Sequence, residues 1–274
     1  MQKKPNILFH GNCQSMAFAK ALSHNNKINV FATPYLWEIT NEKVNEVRNY
    51  AKMADLIISM PISQTYKEGL GTHDLMQISQ CPFVLHSNAH FEGWYPTFDF
   101  CRDMHGKQIS IGNMGNPTGG YLCYLTYVFF YLGVNLENTI KLLQREIFIE
   151  TISELYDFHE KTFFDRESKF SEEYEASHKS CYLTMWDLLG DRKSISKCFH
   201  TFNHPKKKLL LILLHRILAK AEKDYVKDLP WIKELEIAED KLQIESINLP
   251  IYPFVAKSGV QLFICKSFQD GFGG

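Results

Sequence analysis

Asn6-Ile7-Leu8-Phe9-His10-Gly11-Asn12-Cys13-Gln14, running on into Ser15–Leu22, is the stretch that decides the fold. The apolar run Ile7-Leu8-Phe9 is short and stops at His10-Gly11, so Asn6–Phe9 reads as a strand and Ser15–Leu22 as the helix that follows it. Outward from there the alternation continues. Ile28–Ala32 reads as a strand, Asn41–Met53 as a helix with charges spaced along it, and Leu56–Ser59 and Phe83–His86 as further strands bounded by Pro or polar residues. Strand–helix–strand repetition predicts an α/β fold, a parallel sheet with helices on its faces. From Tyr121 the pattern changes. Tyr121–Leu132 reads as a buried helix, Leu136–Phe164 and Lys207–Lys223 as further helices, and the next strand candidate is Val260–Ile264. The expected organisation is one α/β domain over residues 1–274, with a mainly helical C-terminal half: an annex near 121–229 and a tail at 230–274.

Composition narrows the function. Of 274 residues, 45% are hydrophobic and 14% aromatic, enough to bury a core and to exclude a disordered chain. Lys and Arg number 30 against 31 Asp and Glu, for a formal charge of −1, which argues against a dedicated nucleic-acid binder. A local basic patch remains compatible with that balance. The seven cysteines (Cys13, Cys81, Cys101, Cys123, Cys181, Cys198, Cys265) are odd in number, scattered and never in a Cys-x-x-Cys pair. That usage points to the reducing cytosol, hence a cytoplasmic protein. The first apolar run is too short for a signal peptide, and Tyr121–Leu132 falls short of the roughly 20 residues that a membrane span needs.

Four segments hold chemistry. Gly11-Asn12-Cys13-Gln14 falls between the first strand and its helix, the edge of a doubly wound sheet where ligands bind. There Cys13 meets a helix N-terminus, whose N–H groups and dipole stabilise a thiolate or an oxyanion, while Asn12 and Gln14 offer amides. The alternative is a small buried cysteine in a tight turn. Asn203-His204-Pro205 precedes a leucine-faced helix, with Pro205 suited to its first position and His204 to a base at its entrance. Lys206, Lys207 and Lys208 then stand either as a solvated charged turn or as cations facing an anionic ligand. The run His86–Pro96, with Asn88 and His90, combines amides, imidazoles and aromatic rings that suit a sugar-like substrate. Cys81, His86 and His90 match no zinc spacing, so no metal site is expected. Last, Gly112–Gly120, with Gly119 and Gly120 before the next helix, reads as a plain turn or a weak phosphate cradle.

Taken in order, the Gly11-Asn12-Cys13-Gln14 turn, the Asn88–Pro96 segment and Asn203-His204-Pro205 resemble the WcbI-type polysaccharide biosynthesis proteins, over roughly Asn6 to Leu218. The resemblance implies a parallel-sheet N-terminal part of SGNH-hydrolase or flavodoxin type, and a coenzyme A thioester as partner, typically acetyl-CoA. It implies transfer of the acyl group to a sugar of a surface or capsular polysaccharide precursor. By position, Cys13 matches the nucleophile, His204 the base and Asn88 the oxyanion-hole amide. One departure stands out: SGNH enzymes carry an Asp three residues before the histidine, and this chain carries Thr201. Asp187 and Asp191 are the nearby acids, and a pair working as thiolate and imidazolium without an acid is the other option. Two other functions share the same residues: an esterase or thioesterase with water as acceptor, and a non-catalytic subunit that binds coenzyme A or glycan.

Overall fold

The computed structural model describes residues 4–100, 121–143, 145–175, 180–189, 198–225 and 227–244. Val260–Ile264, Asp191, Cys101 and the Gly112–Gly120 loop, with Gly119 and Gly120, lie outside the described residues. The chain divides into two compact units. The first takes residues 1–89, 165–189 and 205–244; the second takes 90–164, 190–204 and 245–274.

The first unit is the α/β part. Its strands are β1 (Asn6–His10), β2 (Asn29–Ala32), β3 (Leu56–Ser59), β4 (Phe83–His86) and β7 (Ser180–Leu183), all parallel, in the order β2-β1-β3-β4-β7. This is the flavodoxin-type doubly wound order, which reverses direction between β1 and β3. Between the strands run α1 (Cys13–Leu22), α2 (Asn41–Met53) and α3 (Thr72–Ile78), and α8 (Lys207–Tyr225) closes the unit. Alternation along the strands sorts the core into two layers. Leu8, Ile57, Phe83, Leu85 and Tyr182 point to one face, where Val47, Ala51, Leu75 and Tyr174 cover them. The opposite face carries the intervening residues, and there Phe18 of α1 meets the His86 ring edge-on. On the same side α8 buries Leu209, Leu210, Leu213, Leu214, Ile217 and Ala221 at helical spacing.

The second unit contains β5 (Phe98–Phe100) paired antiparallel with β6 (Tyr121–Cys123), then α4 (Tyr124–Tyr131) and α5 (Leu136–Leu143). The long helix α6 (Glu146–Glu175) begins there and passes into the first unit after Phe164. Phe91 organises the core of this unit, with the rings of Trp94, Tyr156 and Phe163 edge-on to it at 5.4, 5.6 and 5.7 Å. Beyond α7 (Trp186–Leu189), β8 (Phe199–Thr201) pairs with β9 (His204–Pro205).

Four expectations need correction. Tyr121–Leu132 is not a buried helix: Tyr121–Cys123 is a strand, and α4 after it buries none of its residues. The helix expected over Leu136–Phe164 is broken near Arg145 and then extends to Glu175. Ser180–Leu183, which shows no apolar alternation, is nonetheless the fifth strand of the sheet, recruited by pairing with β4. Pro205 ends a two-residue strand rather than opening the helix, which starts at Lys207.

Candidate active site

Gly11 makes the exit from β1 feasible. Its φ is +151°, and a Cβ there would lie 2.5 Å from Ser15 Oγ and 3.3 Å from Met60 Cγ. Only glycine accepts both the backbone and the crowding. The chain then turns through Asn12, the N-cap of α1, into Cys13, its first residue. The site thus falls beside the strand reversal, as the doubly wound order requires.

Three side-chain amides lock the turn. Asn12 Oδ1 accepts the backbone N–H of Gln14 at 2.9 Å. Gln14 is fully buried, and its Oε1 accepts the Ala89 N–H at 3.0 Å. Because a backbone N–H can only donate, these two contacts decide which end of each amide is oxygen. Asn12 Nδ2 and Gln14 Nε2 must then be donors, and both reach Asn88 Oδ1, at 3.1 and 2.9 Å. Asn88 therefore turns its oxygen into the network and leaves its Nδ2 hydrogens as donors on the other side.

The Cys13 thiol does not behave as its helix position suggests. Burial pushes it up to about 11, and the N–H groups of Cys13 and Gln14, which act the other way, do not offset that. Of the two readings of this turn, burial favours the neutral thiol, because desolvation of the charged sulfur outweighs the helix terminus.

Behind Asn88 lies a buried acid that the sequence did not single out. Glu167 is completely buried, and its Oε1 accepts from Ser87 Oγ and from the Tyr182 hydroxyl, each at 2.9 Å. Its Oε2 accepts the Met185 N–H at 3.1 Å. Burial raises its pKa, and Arg166 and these donors pull the other way. Arg166 also donates to Asn88 O at 3.4 Å. Ser87 and Asn88 are thus tied down on the side away from the amide network. In sequence Glu167 falls just past the helix expected over Leu136–Phe164, and nothing in the spacing marks it.

The second unit holds the histidine. His204 N–H donates to Thr201 Oγ1 at 3.2 Å, and its Nδ1 lies 3.3 Å from the Tyr121 hydroxyl. Asn203 Oδ1 accepts from Tyr121 at 2.8 Å and from Thr201 at 2.8 Å. Burial lowers the His204 pKa to about 4, with His200 and His90 adding repulsion. His90 bonds Glu92 at 3.1 Å and packs against Phe202; His159 bonds the other Glu92 oxygen at 3.1 Å. The two histidines hold the Glu92 carboxyl well below the usual carboxylate range. Tyr121, read from sequence as core of a helix, is a member of this group that sequence reasoning missed.

The remaining candidates are exposed or absent from the group. Lys207 and Lys208 lie exposed in the first turn of α8 and Lys206 is half-buried just before it, with Lys207 3.9 Å from Glu239. Asp187 makes a two-pronged pair with Arg216, at 3.1 Å on both sides. Among the described residues no cluster of three or more His, Cys, Asp or Glu could hold a metal ion, and no helix is long and apolar enough to cross a membrane.

The Polysaccharide biosynthesis enzyme WcbI family model matches residues 6–223, which takes in the Cys13 turn, Asn88 and His204. The chain belongs to the WcbI family. A solved WcbI structure, described as a novel polysaccharide biosynthesis enzyme in a native form without a disulfide between coenzyme A and one of its cysteines, matches 93% of this chain and 79% of its own. The TM-score is 0.70 at 16% identity, which shows a shared fold. No curated protein matches the chain. Membership in WcbI places this protein among polysaccharide biosynthesis enzymes.

Proposed function

We propose that this WcbI protein is a coenzyme A-dependent acyltransferase, with acetyl-CoA as donor, that modifies a sugar hydroxyl of a surface or capsular polysaccharide precursor. The observation that carries the reading is the Asn12–Gln14–Asn88 network. It ties the Asn88 oxygen to the two residues that flank a helix-terminal cysteine and leaves the Asn88 Nδ2 as a donor, the kind of group that a tetrahedral oxyanion needs. The similar WcbI structure, in whose description coenzyme A and a cysteine are named together, supports the choice of donor.

Cys13 is the nucleophile and His204 the base. With the thiol pushed up to about 11 and the imidazole down to about 4, the proton belongs on sulfur until attack begins. His204 therefore takes the proton as sulfur attacks the thioester carbonyl, by general-base catalysis. The new carbon–sulfur bond replaces that of coenzyme A, whose thiolate leaves with the proton from His204. The sugar hydroxyl then attacks acyl-Cys13 and loses its proton to His204, which returns it to Cys13. Thioester-for-thioester exchange is nearly isoenergetic, so the first half-reaction suits a cysteine. Lys206, Lys207 and Lys208, with Gly119 and Gly120, are proposed to hold the cofactor phosphates, and His90 and Asn203 to meet the sugar.

Intact-protein mass spectrometry after incubation with acetyl-CoA tests the scheme. The expected result is a gain of one acetyl group, absent in Cys13→Ala and discharged by a sugar acceptor. In His204→Ala, turnover falls about 100-fold to 10,000-fold with the fold retained. Acetyl-CoA consumption indifferent to the sugar favours a thioesterase. Wild-type turnover in a folded His204→Ala variant removes the Cys13–His204 mechanism.

A further inference from the structure

The acid that SGNH enzymes place three residues before the histidine is Thr201 here, and its side chain serves the backbone: Oγ1 accepts the His204 N–H. One group that meets the imidazole comes from elsewhere in the chain. Tyr121 comes from β6, where it pairs with Phe100 of β5. Its ring is 5% exposed, stacked on Phe100 at 5.1 Å and edge-on to Phe202 at 5.3 Å. The phenol oxygen is therefore held in place by packing on two sides.

That oxygen decides the tautomer of His204. The Tyr121 hydroxyl hydrogen is assigned to Asn203 Oδ1 at 2.8 Å, the shortest of its contacts, ahead of Thr201 Oγ1 at 3.2 Å and His204 Nδ1 at 3.3 Å. With that assignment the phenol oxygen is an acceptor toward His204, and the imidazole carries its hydrogen on Nδ1. Nε2 is left as the nitrogen that receives a proton. We propose that Tyr121 is the positioning residue of the His204 base, orienting the imidazole through a neutral hydroxyl. It fixes the ring and its tautomer without supplying negative charge to an imidazolium. The inference rests on His204 acting as the base in the reading above.

Tyr121→Phe keeps both ring contacts, and Asn203 Oδ1 keeps its donor Thr201. The expected result is a kcat lowered by about 100-fold, the scale of a misoriented reacting group, with the KM for acetyl-CoA and the melting temperature close to wild type. A purely structural tyrosine would instead lower the melting temperature and leave kcat per folded molecule unchanged. Nitrogen-15 NMR of the imidazoles, assigned with His204→Gln, reads the tautomer without any turnover. Nδ1–H in the wild type and a mixture in Tyr121→Phe support the proposal. Nε2–H in the wild type overturns it, as does wild-type kcat in Tyr121→Phe when His204→Ala is inactive. Full activity in His204→Ala would mark failure of the acyltransfer scheme itself, separately from the role of Tyr121.

Discussion

Cys13 shows two effects of opposite sign at one atom. A helix N-terminus stabilises anions by about 0.3–1 kcal/mol when exposed, whereas each pH unit of thiol shift is about 1.4 kcal/mol. The thiol moves upward to about 11 from an ordinary value of 9.0, so burial wins. The expected outcome is an alkylation rate for Cys13 that keeps climbing with pH through 9 to 11. Iodoacetamide kinetics with peptide mapping check this, and a plateau reached below pH 8 would show a stabilised thiolate after all. The same competition explains why helix position, visible in the sequence, misjudges the charge state. Burial is a property of what packs over the sulfur, and no local pattern records it.

Between elements, α4 and α8 separate hydrophobic composition from burial. Both are apolar in sequence. In α8 Leu209, Leu210, Leu213 and Leu214 recur at helical spacing and are fully buried, as the sequence pattern anticipates, while Leu218 on the same expected face is half-buried. In α4 the apolar residues occupy every side; Phe130 and Tyr131 are 74% and 81% exposed, and Leu132 just past its end is 67% exposed. A helix apolar all round has no face that specifies a partner, so its burial is not legible from the run itself. Leu213→Ala in α8 is expected to cost about 2–5 kcal/mol. Phe130→Ser and Tyr131→Ser in α4 are expected to stay within about 0.5 kcal/mol of wild type. Urea unfolding of these variants side by side checks the contrast, and equal losses in the two helices would contradict it.

The whole molecule carries a pH dependence set by buried histidines. His10 and His86 are fully buried, and burial lowers each to about 4 against an ordinary 6.5; His204 follows for the same main reason. Between those values the unfolded chain binds protons that the folded chain refuses, so stability rises with pH there and falls on acidification. Each fully buried histidine contributes up to about 3 kcal/mol across the window from pH 6.5 down to 4. His86 Nε2 has no hydrogen-bond partner, so His86→Leu removes a titrating group without orphaning a donor to that nitrogen. Melting temperature against pH should fall steeply below pH 6.5 in the wild type and less steeply in His86→Leu. Parallel curves would remove His86 from the account.

The parallel α/β framework was legible because its signals are local. Four strands and the helices α1 and α2 are short periodic runs with clear punctuation, and Asn41–Met53, Leu56–Ser59 and Phe83–His86 stand where the pattern sets them. The turn at Gly11–Gln14 was legible for the same reason, since a strand end, a glycine and an N-cap are adjacent in the chain. Tertiary structure decided what rests on distant residues. Ser180–Leu183 is a strand because β4 offers it a free edge, and Asn88 points its donor as it does because Asn12 and Gln14 constrain it across more than seventy residues. Glu167 is buried because Ser87, Tyr182 and Met185 supply its hydrogen bonds, and Tyr121 meets His204 because β5 and β6 pair. Periodicity and turn chemistry act over a few residues, whereas desolvation and hydrogen-bond complementarity arise only once remote segments are brought together.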